Sequence, residues 1–148
     1  MRRRALAAVL ALTICASGRP AGAQTVCDRG DFEAVVDQAA AVLRDLNAKN
    51  KPVFQDRLRQ LKTKRGWTHD LFLKLAAPLV QDERIAEFDQ QSADFLDNIN
   101  SLGSEGAGAA TPDCALLREV RSNMSGLVEA QEAKWAYMFE KIDGELSR

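Results

Sequence analysis

The residue types that most enzymes use for catalysis are scarce in this chain. It contains a single histidine, His69, whereas a zinc site needs several nitrogen, sulfur or oxygen ligands. The motifs E-x-x-H, H-E-x-x-H, C-x-x-C-H and G-x-S-x-G do not occur, so the spacings typical of di-iron, zinc-protease, covalent haem and serine-hydrolase sites are missing. We therefore expect a protein without catalytic activity, cofactor or metal, and a small secreted helical enzyme is the weakest alternative.

Three kinds of ligand site are further alternatives. His69 with Met124 or Met138 has the residue types for a non-covalent haem. A row of carboxylates and amides could gather a hard cation, but no EF-hand loop is present and the same spacing is typical of a solvated helix face. The members of this row are Glu83, Glu87, Gln91, Asp94, Asp97 and Asn98. The third alternative is a small amphiphile held between helices.

Charge is distributed unevenly along the chain. Residues 49–65 hold seven basic residues against one acidic residue, a balance of +6. Residues 82–119 hold nine acidic residues against two basic ones, a balance of −7. The basic run would attract an anionic partner, and its alternative interpretation is a solvated surface whose charges pair within the molecule.

An apolar stretch follows the basic run. Trp67 stands next to it, and Leu71 and Leu75 continue the predicted core stripe. Phe72, Ala76 and Val80 form a second stripe beside the core one, which a three-helix bundle would leave partly exposed unless 53–65 folds over it. An aromatic anchor beside a charged cluster is typical of a specific binding surface.

The sequence thus predicts a partner-binding tip on the molecule. Its residues are Arg57, Arg59, Lys62, Lys64, Arg65, Trp67, Phe72 and Val80. Its partner would be an unidentified protein or an anionic component of a cell envelope.

The elements that would position this tip are helices. Apolar residues recur at helical spacing, and no period-two strand pattern is present, so we expect an all-α fold. Gly66 should end the first helix, 103–110 should form a glycine-rich loop, and Thr111 should cap the last helix with Pro112 at its first position. We predict an elongated three-helix up-down-up bundle with helices at 31–65, kinked at Pro52, at 68–102, kinked at Pro78, and at 112–147.

A four-helix bundle, in which Pro52 separates two antiparallel helices, is the alternative topology. The cysteines help to choose, because Cys27 and Cys114 are an even pair and such pairs ordinarily form disulfides in exported proteins. A disulfide requires Cα atoms within about 7 Å. The first and last helices begin at the same end only in the up-down-up arrangement, so a Cys27–Cys114 bridge favours three helices.

The first 23 residues have the features of a cleaved secretory signal peptide. Arginines at 2–4 precede an apolar segment too short to span a bilayer, and 21–23 match an A-x-A cleavage site. A lipid anchor at Cys15 is the less favoured interpretation. The leader carries four of the 20 basic residues and none of the 21 acidic ones, so a single domain at 24–148 would have a net charge of −5.

These features predict an exported, non-enzymatic helical protein of a bacterial-type cell envelope, located in the periplasm or secreted. It would act by binding a macromolecular partner. A mildly acidic chain argues against a nucleic-acid partner, and no later segment is apolar enough to predict a transmembrane helix.

Overall fold

The computed structural model describes residues 27–148, which form helices joined by short turns. The predicted signal peptide therefore lies outside the described residues. The helices are α1 (Arg29–Arg65), α2 (His69–Ala76), a 3-10 turn (Ala77–Leu79), α3 (Glu83–Gly108) and α4 (Cys114–Ser147). The prediction of an all-α bundle is confirmed.

Helix α1 begins and ends at residues suited to those positions. Asp28 and Asp31 form a reciprocal capping box, in which each side chain accepts a hydrogen bond from the other residue's backbone N–H. At the other end Gly66 adopts φ 63°, the left-handed conformation that glycine tolerates best. Pro52 lies inside α1 without ending it, so the four-helix alternative is wrong. Phe54 just beyond it is buried, and this packing holds the helix together across the missing backbone hydrogen bond.

The second arm of the bundle breaks into two helices at Pro78, where the sequence predicts a kink in one helix. Thr68 caps α2, Pro78 lies in the 3-10 turn, and Asp82 caps α3 by accepting from the Ile85 N–H at 2.8 Å. The predicted loop at 103–110 is wrong, since α3 continues to Gly108.

A close helix contact explains why Gly106 is helical there. A Cβ at Gly106 would lie 3.0 Å from Leu116 Cδ2 on α4 and 3.9 Å from Phe32 Cε1 on α1. The glycine thus lets α3 approach α4, and this packing offsets a helix-propensity cost of about 1 kcal/mol for a glycine.

The start of α4 also differs from the prediction. Asp113 is the N-cap and accepts a hydrogen bond from the Ala115 N–H at 2.7 Å, so Thr111 and Pro112 precede the helix. Aspartate is a strong cap, and its carboxylate lies at the positive end of the helix dipole. Helix α4 therefore begins at Cys114, two residues later than predicted.

The three arms form a layer with α4 in the middle. Helices α1 and α3 each pack along α4, while their own backbones hardly approach one another. Cys27 and Cys114 are joined by a disulfide with Cα atoms 5.6 Å apart, which places the starts of α1 and α4 together. Arg65 pairs with Glu145 at the opposite end. Therefore α1 and α4 run parallel, α3 runs antiparallel to them, and the up-down-up topology is confirmed.

Buried side chains form two separate clusters. The larger lies near the 66–67 turn, and we call it the tip core; its buried members are Phe54, Leu61, Ala76, Leu79, Ile85, Met138 and Ile142. Trp135 and Phe139 pack against it. The smaller cluster lies near the disulfide and contains Ala39, Val120 and Met124. The disulfide end is consequently the less well packed end of the layer.

Two glycines on α4 give a matched test of this packing. A Cβ at Gly126 would lie 2.4 Å from the Phe95 ring of α3, whereas a Cβ at Gly144 meets nothing within 4 Å. We expect Gly126→Ala to lower the free energy of unfolding by about 1–3 kcal/mol through overpacking. Gly144→Ala should raise it by about 0.5–1 kcal/mol, because alanine favours the helix. Urea unfolding measures both, and stabilisation by Gly126→Ala would contradict the α3–α4 packing.

Candidate functional site

The predicted tip lies at the end of the layer remote from the disulfide. Several of its basic side chains are already bound by residues of α4. Arg57 forms an ion pair with Asp143, and Arg65 pairs with Glu145 at 3.1 Å. Lys64 donates to a backbone carbonyl in the same last turn of α4. Three of the five predicted cations are therefore bound within the molecule.

The other two cations make weaker contacts. Arg59 pairs with Asp56 on its own helix at 3.1 Å, and both side chains are exposed. Lys62 lies over the Phe72 ring, 5.7 Å from its centroid. The half of the molecule that contains the tip, residues 46–93 and 122–148, holds twelve basic and eleven acidic residues and has a net charge of +1. The excess of the basic run is almost cancelled by the acids of the neighbouring elements.

The apolar face of the tip is rotated relative to the prediction. Phe72 and Trp67 are half-buried against the tip core, and Val80 remains exposed. Leu71 and Leu75, expected in the core, are exposed instead. The break at Pro78 accounts for the difference. Because α2 and α3 are separate helices, the buried face of α2 does not have to continue the buried face of α3.

The tip interpretation can be tested through folding stability. We expect Trp67→Ala and Phe72→Ala each to lower the free energy of unfolding by about 1–3 kcal/mol, since both rings cover the tip core. Leu73→Ala is the matched control, because Leu73 on the same short segment is 57% exposed and should change stability by less than about 0.5 kcal/mol. Thermal and urea unfolding give the comparison. If both aromatic variants are as stable as the control, the rings are free to bind a partner.

A polar cluster holds the Pro78 break against α4. Asp82 accepts hydrogen bonds from Lys141, from the Ile85 N–H and, at 2.9 Å, from the Tyr137 hydroxyl, and Lys141 also donates to the Pro78 carbonyl. These donors, Lys141 above all, lower the pKa of Asp82 from 3.8 to about 2. The same hydrogen bond to Asp82 raises the pKa of Tyr137. The cluster is structural, since it joins the two elements on either side of the break.

The lowered pKa of Asp82 gives a prediction about acid stability. The stabilisation by its carboxylate is present above the unfolded pKa of 3.8 and is lost as the pH falls through the folded pKa of about 2. Asp82→Asn should therefore lower the melting temperature at neutral pH and flatten its decline between pH 4 and pH 2. Asp113→Asn is the control, because Asp113 is also an N-cap but accepts its hydrogen bond from the Ala115 N–H of its own helix. A wild-type acid profile in Asp82→Asn would contradict the assignment.

A large opening lies at the disulfide end, where α1 and α3 stand apart on either side of α4. This groove has a volume of about 1000 Å³. Its floor is Val120 of α4, its α1 wall carries Phe32 and Val36, and its α3 wall carries Ile99 and Gly103. We call this cavity the disulfide-end groove. Val36 remains 41% exposed, so an apolar surface is open to solvent here.

Polar residues and the α3–α4 loop complete the groove. Charged and amide side chains stand at its edges: Arg29, Glu33, Asp37, Asn100 and Ser104. Ala109, Ala110 and Pro112 close the end next to the disulfide. The small residues along α3 and the loop leave the space that larger side chains would fill.

The half of the molecule around the groove is strongly acidic. Residues 27–45 and 94–121 hold ten acidic residues against four basic ones, a net charge of −6. The sequence locates the acidic run at 82–119 but does not show that the start of α1 lies beside it. The charge asymmetry of the molecule is thus an acidic disulfide half and a nearly neutral tip half.

The residues considered for a haem or a metal site lie apart from one another. His69 is exposed at the first position of α2, whereas Met124 and Met138 are buried in different clusters. Within residues 27–148 no group of three or more His, Cys, Asp or Glu side chains is arranged to hold a metal ion. Across the same residues, no helix combines the length and apolarity needed to cross a membrane.

Comparison of the chain with models of known protein families, with curated proteins and with solved structures found no match.

Proposed function

We propose that the protein is an exported helical binding protein of a bacterial-type cell envelope, which acts by holding a partner in the disulfide-end groove rather than by catalysis. The observation that carries this proposal is the separation of α1 from α3 over α4, which leaves apolar side chains of the groove walls, Val36 among them, exposed to solvent. A layer of three helices has an unfilled position there, and a partner that occupies it would complete the packing.

The lining favours binding over an accidental gap. Phe32 and Val36 lie one helical turn apart on α1 and face the groove together with Ile99. Burial of such side chains contributes about 25 cal/mol for each Å² of apolar surface removed from water, so a partner that covers them gains affinity. The charged residues stand at the edges of the groove, an arrangement resembling the apolar centre and polar rim of protein interfaces.

Export is supported by two features of different kinds. The N-terminal segment has the charged, apolar and A-x-A regions of a secretory leader. The disulfide between Cys27 and Cys114 is of a kind that persists in oxidising compartments. Partners in the envelope or outside the cell are therefore the ones to search for.

A small amphiphile is the second candidate for the groove. The volume of about 1000 Å³ is at the upper end of the range of ligand pockets, roughly 300–1000 Å³. We favour a macromolecular partner, because the groove is open along α1 and α3 and a small ligand would leave much of its own surface in water. Organic extraction of the purified protein followed by mass spectrometry separates the two candidates.

The test of the proposed function is to fill the groove without disturbing the fold. Gly103 lines the groove and a Cβ there meets nothing within 4 Å, so Gly103→Leu should occupy the cavity and keep or raise the melting temperature. Gly144→Leu makes the same change at the tip end of α4, where a Cβ also meets nothing within 4 Å. The measurement is crosslinking and capture from an envelope extract with the wild type and both variants.

Wild-type protein and Gly144→Leu should retain the same partner, and Gly103→Leu should retain at least fivefold less, about 1 kcal/mol of binding free energy. Equal capture by the three proteins would reject the groove as the binding site. Circular dichroism of each variant shows beforehand that the helices are intact.

A further inference from the structure

We infer that the occupant of the disulfide-end groove is a cationic amphipathic helix of another protein. This inference rests on the proposed function and names the class of partner. It follows from the shape of the groove and from the charge around it, and these two observations are independent of each other.

The shape of the groove suits a helix. The walls run along α1 and α3, and each presents residues one turn apart: Phe32 and Val36 on one side, Ile99 and Gly103 on the other. Such rows are the ridges between which the side chains of a fourth helix pack, at an interaxial distance of roughly 8–10 Å. An extended or globular segment would use these rows less well, since its side chains do not repeat once per helical turn.

The charge around the groove selects a cationic helix. Glu33 and Asp37 also lie one turn apart on α1, beside the apolar row, and Arg29 is the one basic residue among the lining residues. Both the groove and the whole disulfide half, with its net charge of −6, are negative. A partner helix with an apolar stripe bordered by lysine or arginine matches both the floor and the edges.

Other occupants fit the charge less well. The tip half of a second copy has a net charge of only +1, so the chain does not supply a strongly cationic surface to its own groove. An anionic lipid surface or a nucleic acid would be repelled by the acidic half. A basic segment of a different protein is the partner that the observations favour.

The experiment uses the full mature protein and two synthetic peptides of about 15 residues, roughly 22 Å as helices. Both peptides carry the same leucine stripe, but one has lysine and the other glutamate on the polar face. Fluorescence anisotropy of labelled peptides measures binding in about 50 mM salt. We expect the lysine peptide to bind at least tenfold tighter than the glutamate peptide.

Variants locate the binding. Glu33→Lys with Asp37→Lys should weaken binding of the lysine peptide about tenfold or more. The reason is that two carboxylates at the edge of the groove are replaced by positive charges, which repel the lysines of the peptide. Glu132→Lys with Glu140→Lys, on exposed positions of α4 in the tip half, makes the same change in net charge and should weaken it less than threefold. Gly103→Leu keeps every charge and places a leucine side chain in the groove, so it should also weaken binding of the lysine peptide at least fivefold.

Each result is decisive for the inference. If Gly103→Leu binds the lysine peptide as tightly as the wild type does, the contact is general surface electrostatics and the inference is overturned. If both peptides bind equally and Gly103→Leu loses both, the groove is a binding site but its preference for cations is rejected. If the lysine peptide fails to bind at about 1 mM, its binding free energy is weaker than about 4 kcal/mol. A cationic helix is then rejected as the occupant of the groove. In each case the capture experiment with the envelope extract tests separately whether the groove binds any partner.

Discussion

The structure depends on α4 having to bury two faces at once. Helices α1 and α3 both pack on it while their own backbones hardly approach one another, so α4 supplies most of the contact between the two sides of the layer. Its buried residues accordingly extend along almost its whole length, from Leu116 to Ile142. A fourth helix would cover the opposite faces of α1 and α3. Because the described residues include no further helix there, apolar residues of α1 and α3 beside α4 remain partly exposed to water. The disulfide-end groove is one place where this occurs.

The two ends of the layer are held by different means. At the tip a core of large side chains is supported by ion pairs between α1 and α4. At the other end the buried cluster is small, and the Cys27–Cys114 bridge supplies what packing does not. A bridge across 87 residues stabilises a fold by roughly 4–5 kcal/mol in the chain-entropy model. A covalent link at this end allows the groove to stay open while α1 remains beside α4.

Polar contacts between helices fix their register along α4. Ser92 is buried on α3 and accepts a hydrogen bond from Gln131 at 2.7 Å, while Trp135 donates to Asn47 of α1 at 3.1 Å. A shift of either helix by one residue would leave such groups without partners, which costs about 1–3 kcal/mol when they are buried. The walls of the groove are therefore held at defined positions, and a partner meets a surface that is already formed.

The sequence by itself determined the helical class, the three-arm order, the break at Pro78 and the disulfide, because periodicity, proline and cysteine act locally or through topology alone. It did not determine which face of α2 is buried, the helix through 103–108 or the groove. Those depend on contacts between residues far apart in the chain, such as Gly106 with Leu116 and Phe32. The same reason explains the charges: the basic run at 49–65 is evident in the sequence, but only the tertiary structure places Asp143 and Glu145 against it. It also brings the start of α1 beside the acidic residues of α3 and α4, which gives the disulfide half its net charge of −6.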